Sequence, residues 1–259
     1  MKKQLKKTLY NQFQILCLAT LFVACISPKK MVYFQDVEGV ETNETIVNYE
    51  PKIQVDDLLI INVSAIDGEA AIPFNLYETP IVVGVVSNPI PFKYLVNADG
   101  EINFPVLGTI KVKGLSTKKL TAYLTKTLAG YLKSPIVNVR LTNFKVTVLG
   151  EVKSPGSYTI PNERISIIEA IGLAGDLTIQ GLRSTVLLIR EQEGERKFVT
   201  IDLTNKELFN SPYFYLAQND VIYIEPNKTK LNSSVIGSNT GVILSSVSIL
   251  ITLLTLLTR

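Results

Sequence analysis

The chain has 259 residues, of which 46% are hydrophobic and 19% are charged, a composition typical of a folded protein with some membrane-like sequence. The formal net charge of +3 falls to −1 when the four lysines among the first seven residues are left out, which gives no electrostatic argument for nucleic-acid binding. Histidine is absent and the only cysteines are Cys17 and Cys25, which excludes an imidazole metal ligand, a disulfide framework and a cysteine-rich zinc site.

The N-terminal segment MKKQLKKTLYNQFQILCLATLFVAC has the layout of a secretory signal, with lysines before a short apolar run and the small residue Ala24 before Cys25. The stretch LFVAC also resembles a bacterial lipobox, with Phe22 where that motif usually has Leu. This resemblance implies cleavage before Cys25 and covalent lipid on its sulfur. We therefore predict a signal peptide over 1–24 and a lipidated linker over 25–46, with an uncleaved anchor as the alternative.

The next part of the chain reads as a soluble α+β unit. The stretch KIQVDDLLIINVSA predicts a strand, a turn at Asp56-Asp57 and a second strand, with Leu58, Ile60 and Val63 facing a core. YLVNADGEINFPVLG predicts a hairpin with its turn at Asp99-Gly100. Ser116 is placed to cap a helix. The predicted core face of that helix consists of Leu120, Tyr123, Leu124 and Leu128.

A second unit begins near Phe144. VTVLGEVKSPGSYTIP predicts two strands around a type II turn at Pro155-Gly156, because glycine accepts a positive φ. ISIIEAIGLAGD predicts a short helix capped by Ser166 and ended at Gly175. STVLLIREQEGERKFVTIDL predicts a strand pair around Gly194, and LAQNDVIYIEP echoes the earlier QVDDLLIINV as a polar turn, an aspartate and an apolar strand.

These stretches, in this order, resemble the outer-membrane polysaccharide export proteins of the Wza type. The resemblance implies a polysaccharide-export domain over 47–142 and one soluble-ligand-binding β-grasp (SLBB) domain over 143–226. The chain departs from the family where Val55-Asp56-Asp57 replaces the usual Pro-Gly-Asp. The predicted fold class is α+β, with small mixed β-sheet and β-grasp-like domains followed by a single C-terminal transmembrane amphipathic α-helix.

Polar and aromatic residues of these units have structural explanations. Asp56, Asp57, Asp99 and Asp220 occupy predicted turns, where aspartate forms local hydrogen bonds, so a pair of glycosidase carboxylates is the minor alternative. The aromatic run 213–215 either stacks on sugar rings or belongs to a core. No glycine-rich phosphate loop is present. We predict no catalytic residue, no metal and no cofactor beyond the lipid on Cys25.

The C-terminal stretch 236–259 follows a polar spacer at 227–235, and its residues 236–257 would cover about 33 Å as a helix at about 1.5 Å per residue, which is long enough to span a bilayer. Small and polar residues recur in it at spacings of three and four and share one strip of the helix. They are Ser238, Gly241, Ser245, Ser248, Thr252, Thr255 and Arg259. Such a strip either forms a seam between helices or lines water in a ring of helices.

The resemblance favours the water-lined ring. It implies a homo-oligomeric ring, octameric in the family, with its main body in the periplasm, a lipid anchor in the bacterial outer membrane and a pore made of C-terminal helices. It also implies an inner-membrane polysaccharide copolymerase, often with a tyrosine-kinase domain, as partner. We therefore predict a non-enzymatic translocon for capsular polysaccharide or exopolysaccharide. The alternative is a tail-anchored periplasmic glycan-binding or scaffold lipoprotein without a pore.

Overall fold

The computed structural model describes residues 32–36, 49–78, 89–192, 194–236 and 240–257. The predicted signal peptide and Cys25 lie outside these residues. Buried hydrophobic side chains form two clusters, one drawn from residues 53–139 and the other from residues 144–224. They define two units that follow one another in the chain, called the first unit and the second unit below.

The described part of the first unit mixes helices with two small sheets, as the predicted α+β class requires. Its elements are β1 (Leu58–Ser64), α1 (Gly68–Ala71), a 3₁₀ turn (Ile72–Phe74), β2 (Lys93–Leu95), β3 (Glu101–Phe104), β4 (Gly108–Lys111), α2 (Thr117–Leu128) and β5 (Ile136–Leu141). Strand β1 is the centre of an antiparallel sheet of order β2-β1-β5, and β3 and β4 form a separate hairpin. Helix α2 packs against β5.

The first residues of strand β1 turn the opposite face to the core from the predicted one, whereas Val63 is buried as predicted. Leu59 and Ile61 are buried, and Leu58 and Ile60 are only partly buried. A shift of one residue exchanges the two faces of a strand, because successive side chains alternate. The run LLII is apolar at every position, so its local pattern does not distinguish the two faces.

Helix α2 forms as predicted. The Ser116 hydroxyl accepts a hydrogen bond from the Lys119 amide at 3.3 Å and so satisfies one of the free amides of the first turn. Leucines 120, 124 and 128 are fully buried at helical spacing. Tyr123 is 49% exposed, which corrects its predicted place on the core face.

The predicted hairpin at Asp99-Gly100 is a turn between strands of different sheets. Strand β2 pairs with β1, whereas β3 pairs with β4 through a tight connection in which Val106 has a φ of 64°. The prediction was wrong about the pairing because local alternation marks strands and turns but does not identify a distant partner strand.

The second unit is built around one mixed sheet of order β7-β6-β10-β8-β9. Its elements are β6 (Lys145–Gly150), β7 (Gly156–Thr159), α3 (Ile167–Leu173), β8 (Gly181–Gln192), β9 (Glu195–Ile201), a 3₁₀ turn (Lys206–Asn210) and β10 (Val221–Pro226). The last strand, β10, lies at the centre of the sheet, parallel to β6 and antiparallel to β8. The strand pair around Gly194 and the helix capped by Ser166 are confirmed.

Gly150, at the end of β6, has the positive φ that was predicted at Gly156. Its φ is 90°, and a Cβ atom added there would lie 2.1 Å from the Ile224 carbonyl oxygen. Glycine is required here because β10 approaches the backbone closely. Gly156 begins β7 without a positive φ, so the predicted reason for that glycine was wrong.

The C-terminal segment forms two helices, α4 (Lys228–Ile236) and α5 (Thr240–Leu257). Helix α4 occupies the predicted polar spacer, because the Asn227 side chain accepts a hydrogen bond from the Lys230 amide at 3.0 Å and thereby caps a helix ahead of the apolar run. Among the described residues, no helix combines the length and the apolar character needed to cross a bilayer. The single transmembrane helix predicted over 236–259 is therefore not found.

Candidate functional site

Two tight turns meet where the two units join. In the first, Asp56 has a φ of 66° and the Asp57 carboxylate accepts a hydrogen bond from the Gln54 amide at 2.7 Å. In the second, Asn219 has a φ of 65° and the Asp220 carboxylate accepts one from the Ala217 amide at 2.8 Å. Asp and Asn tolerate the left-handed conformation better than most residues do. The echo noted between the two stretches is therefore a repeated turn geometry.

Asn143 and Gln218 connect the two turns. The Asn143 side chain accepts from the Leu58 amide at 2.9 Å and donates to the Asp56 carbonyl at 2.9 Å. The Gln218 side chain donates to the Asn143 carbonyl at 2.9 Å and accepts from the Lys145 amide at 2.8 Å. Because each amide side chain uses both its donor and its acceptor on backbone groups, the joint fixes one unit against the other.

The two buried aspartates differ in their electrostatic environment. Asp220 forms an ion pair with Arg190. Arg190 Nη2 lies 2.6 Å from Asp220 Oδ2, and Arg190 Nε lies 3.0 Å from Asp220 Oδ1. Burial opposes the charge on Arg190, but the hydrogen bonds and charge of Asp220 raise the pKa of the guanidinium on balance. Asp57 has no cationic partner, and burial raises the pKa of its carboxyl group to about 6 against the opposing effects of the Gln54 amide and the Gln218 side chain.

A cleft of about 740 Å³ opens beside this joint, with walls from both units. The first unit contributes Glu50 and the start of α2, where the Ser116 hydroxyl donates to Glu50 Oε2 at 2.9 Å. Lys118 lies 3.6 Å from the other Glu50 oxygen, on the exposed rim. The second unit contributes the loop before α3 and the ring of Tyr215.

The second wall of the cleft is held by a capping box. The Ser166 amide and hydroxyl each donate to Glu169 Oε2 at 2.7 Å, and the Glu169 amide donates back to the hydroxyl at 3.2 Å. Hydrogen bonds from the Ser166 backbone and side chain lower the pKa of Glu169, which therefore stays ionised. The Tyr215 ring stacks on Tyr49 at 5.4 Å, and the Arg164 guanidinium lies 5.2 Å from its centroid.

The cleft presents hydroxyl, amide, carboxylate and guanidinium groups around an aromatic ring, an arrangement that suits a ligand with several polar groups. No group of three or more Asp, Glu, Cys or His side chains in the described chain has the geometry to hold a metal ion.

Comparisons with known proteins match both units. The family model for polysaccharide biosynthesis/export proteins matches residues 46–142, and the SLBB domain model matches residues 145–200. The chain belongs to the polysaccharide export family. The recognition made from the sequence is thereby confirmed, and the first and second units are called the export domain and the SLBB domain below.

Two curated relatives bear the name EPS I polysaccharide export outer membrane protein EpsA. The chain is 27% identical to the Ralstonia solanacearum protein over 139 residues, which cover 52% of this chain and 36% of the relative. It is 35% identical to the Ralstonia nicotianae protein over 101 residues, which cover 38% of this chain and 26% of the relative. The chain thus matches about a third or less of the length of these relatives. Their names confirm the expected outer-membrane location.

The predicted pore-lining residues are only partly described. Gly241, Ser245, Ser248 and Thr252 are exposed on α5, while Ser238, Arg259 and the Thr255 side chain lie outside the described set. The Ser245 hydroxyl donates to the Val242 carbonyl at 2.9 Å, and the Thr252 hydroxyl donates to the Ser248 carbonyl at 2.8 Å. Apolar side chains of α5, among them Val247 and Leu250, are exposed as well.

Sequence reasoning missed Arg190, Asn143 and Gln218. Arg190 interrupts the apolar run STVLLIREQ at a buried register position of β8, and an arginine in such a position is a sequence signal for a buried partner. Asn143 and Gln218 carry no comparable signal, because their partners are backbone groups far away in the sequence. Within the aromatic run 213–215, Tyr213 lies 5.3 Å from Arg190 and Phe214 packs on Phe209, whereas Tyr215 lines the cleft.

Proposed function

We propose that this chain is a non-enzymatic subunit of an oligomeric outer-membrane translocon that exports capsular polysaccharide or exopolysaccharide. The observation that carries the proposal is the succession of an export domain and an SLBB domain, joined by the hydrogen bonds of Asn143 and Gln218. The names of both EpsA relatives support the cargo class. A fixed angle between the domains suits a closed ring, because each subunit then repeats the same rotation.

In this proposal the lipid on Cys25 anchors each subunit in the outer membrane, with the two domains on the periplasmic side. A homo-oligomeric ring, octameric by family resemblance, surrounds the path of the polysaccharide. The sequence has no phosphate-binding loop, so the energy for movement comes from synthesis and from an inner-membrane copolymerase with a kinase domain.

The C-terminal helices of the ring form the exit in this proposal, with the strip from Ser238 to Arg259 facing the polysaccharide. Hydroxyl groups that already donate to a carbonyl of their own helix keep acceptor capacity for a passing sugar and hold it by no charge. Exposed apolar residues of α5, among them Val247 and Leu250, then face lipid or a neighbouring helix.

Single cysteines test the pore. We would place them at Ser245, Ser248 and Thr252 on the strip, and at Val247 and Leu250 as controls of similar depth on the helix. A membrane-impermeant maleimide is applied to intact cells and to the purified assembly. We expect labelling at the three strip positions and protection at the two controls. Protection at all five positions, with labelling restored by denaturation, would show a dry seam and refute the pore.

A second candidate function is supported by the cleft of about 740 Å³: a glycan-binding or scaffold lipoprotein without a pore. Titration of the purified protein with defined oligosaccharides, followed by calorimetry, tests it. This candidate requires binding that is weakened at least ten-fold by Arg164→Ala, together with protection of all five cysteines. Absence of oligosaccharide binding, or an unchanged affinity of the variant, would refute it.

A further inference from the structure

A short N-terminal segment, residues 32–36, docks on the SLBB domain although the export domain follows it in the chain. The Phe34 amide donates to the Leu203 carbonyl at 3.3 Å, and the Gln35 amide donates to the Thr204 carbonyl at 2.8 Å. The Lys206 amide then donates to the Asp36 carboxylate at 2.8 Å. Phe34 has a φ of 48° and the chain turns at Gln35 and Asp36, so the segment docks as a turn that directs consecutive amides at the SLBB domain.

Two aromatic side chains fix the register of this segment. The Tyr33 hydroxyl donates to Asp176, and the Arg183 guanidinium lies 5.1 Å from the Tyr33 ring centroid. The Phe34 ring packs on Phe209 with centroids 5.0 Å apart. Burial and the bond to Asp176 both raise the pKa of Tyr33, so its hydroxyl remains a neutral donor. Asp176 and Arg183 thus hold the Tyr33 side chain, and Phe209 holds the Phe34 ring.

The loop that contains Asp176 also holds the start of the C-terminal helices. The Asn227 amide, just before α4, donates to the Gln180 carbonyl at 2.7 Å. Glu151 accepts from the Thr178 hydroxyl at 3.1 Å and lies 3.5 Å from the Lys230 ammonium of α4. The N-terminal segment and the C-terminal helices are therefore attached to one loop, residues 176–180.

We propose that residues 32–36 are a docking strap that holds the lipid-bearing N-terminus of the same subunit at loop 176–180, beside the start of α4. Tyr33 is eight residues after Cys25, a distance of at most about 28 Å for an extended chain. Tyr49, the next residue described after the strap, is twenty-four residues from Cys25, a distance of at most about 84 Å for an extended chain, so the strap sets the much shorter limit.

The strap therefore brings the lipid anchor and the C-terminal helices to one end of the SLBB domain, which turns this end toward the membrane. The docking itself is independent of the export function. The consequence for orientation rests on the proposed lipid at Cys25.

Cross-linking of the purified full-length protein tests the docking. Gln35→Cys and Thr204→Cys are combined and treated with a short bifunctional maleimide, with each single variant as a control for the native cysteines. We expect a cross-linked product at the mass of one chain that forms only in the double variant. Adding Tyr33→Ala and Phe34→Ala should lower its yield at least ten-fold, whereas adding Tyr123→Ala, on an exposed tyrosine of α2, should leave the yield unchanged.

The other outcomes overturn the proposal. A cross-linked dimer would show that the segment docks on a neighbouring copy, and no product from the folded protein would show that it does not dock. The yield is read on purified protein, so failure here is distinguishable from failure of polysaccharide export, which the labelling of α5 tests.

Energy transfer in vesicles tests the orientation. The lipidated protein is reconstituted with a headgroup-labelled lipid and carries one donor dye, at Thr178→Cys or at Tyr123→Cys. We expect at least two-fold higher transfer efficiency from position 178, and a loss of this difference when Tyr33 and Phe34 are replaced by alanine. Equal transfer from both positions in the unaltered strap would refute the proposed orientation.

Discussion

The turn at Asp57 and the turn at Asp220 have the same backbone conformation, but their carboxylates have different contacts. Both aspartates are fully buried, and each follows a residue with a φ near 65° and accepts from an amide three residues earlier. Asp220 is paired with Arg190, whereas Asp57 Oδ1 has no hydrogen-bond partner among the described residues. The hydrogen bond within each turn therefore determines the conformation of the turn. Contacts with residues far away in the sequence determine how well the ionised carboxylate is stabilised.

The difference matters for the domain joint. Asn143 and Gln218 tie the two turns together, so a change of charge at Asp57 acts directly beside the contact between the export and SLBB domains. On the SLBB side, burial also raises the pKa of the Asp220 carboxyl group, but the hydrogen bonds and the permanent positive charge of Arg190 oppose that shift. The Asp57 side can titrate within a mildly acidic range.

The largest effect is expected from Arg190→Met, which removes the feature that distinguishes Asp220. It leaves a buried carboxylate without its cation, and such a loss typically costs about 3 to 5 kcal/mol of the free energy of unfolding. Urea denaturation of the full chain, followed by circular dichroism, measures it. Arg196→Met is the matched control: Arg196 and Glu191 are 63% and 65% exposed, and we expect a change under about 1 kcal/mol. Equal losses in the two variants would contradict the comparison.

Asp57→Asn is expected to remove a pH dependence of the free energy of unfolding. The folded-state pKa of Asp57, about 6, lies above its ordinary value of 3.8, so between these values the folded chain binds more protons than the unfolded chain. The free energy of unfolding then falls as pH rises from about 4 to about 6, by up to about 3 kcal/mol, and stays flat above.

Denaturation of both proteins at pH 4.5 and pH 7.5 measures this effect. We compare the free energy of unfolding of the asparagine variant with that of the wild type at each pH. The difference, variant minus wild type, should be about 1 to 3 kcal/mol larger at pH 7.5 than at pH 4.5. A difference between the two proteins that does not change with pH would show that the Asp57 carboxyl group is not the source.

The smallest effect concerns the residue before each aspartate. Asp56 and Asn219 have φ values of 66° and 65°, which glycine accepts without strain and β-branched residues resist. We expect Asp56→Gly to change the free energy of unfolding by less than about 1 kcal/mol and Asp56→Val to lower it by about 1 to 2 kcal/mol. Asn219→Gly and Asn219→Val should show the same order in thermal denaturation. If the valine variant were more stable than the glycine variant at either position, the two turns would not share one backbone requirement.

Local features of the sequence were sufficient to predict many elements. Ser116 and Ser166 cap helices as their positions indicate, because capping depends on residues within one turn. The order of the two domains was predicted from stretches that resemble the polysaccharide export family. The aspartate turn survived the replacement of glycine by Asp56, since aspartate tolerates the left-handed conformation.

Features set by distant contacts were not predictable. The face of β1 depends on its pairing with β5, which the uniform run LLII does not indicate. The need for glycine at position 150 depends on the Ile224 carbonyl, seventy-four residues later. The walls of the cleft come from two domains, so no single stretch of sequence displays the site.

The central place of β10 has a consequence for biosynthesis. Because Val221–Pro226 lies between β6 and β8, a chain that has emerged only as far as β9 has two sheet edges without their shared neighbour. The SLBB domain therefore closes its sheet only after nearly the whole polypeptide has been synthesised. Nascent chains arrested before residue 221 should remain sensitive to protease, and those arrested well beyond residue 226 should become resistant in a single step.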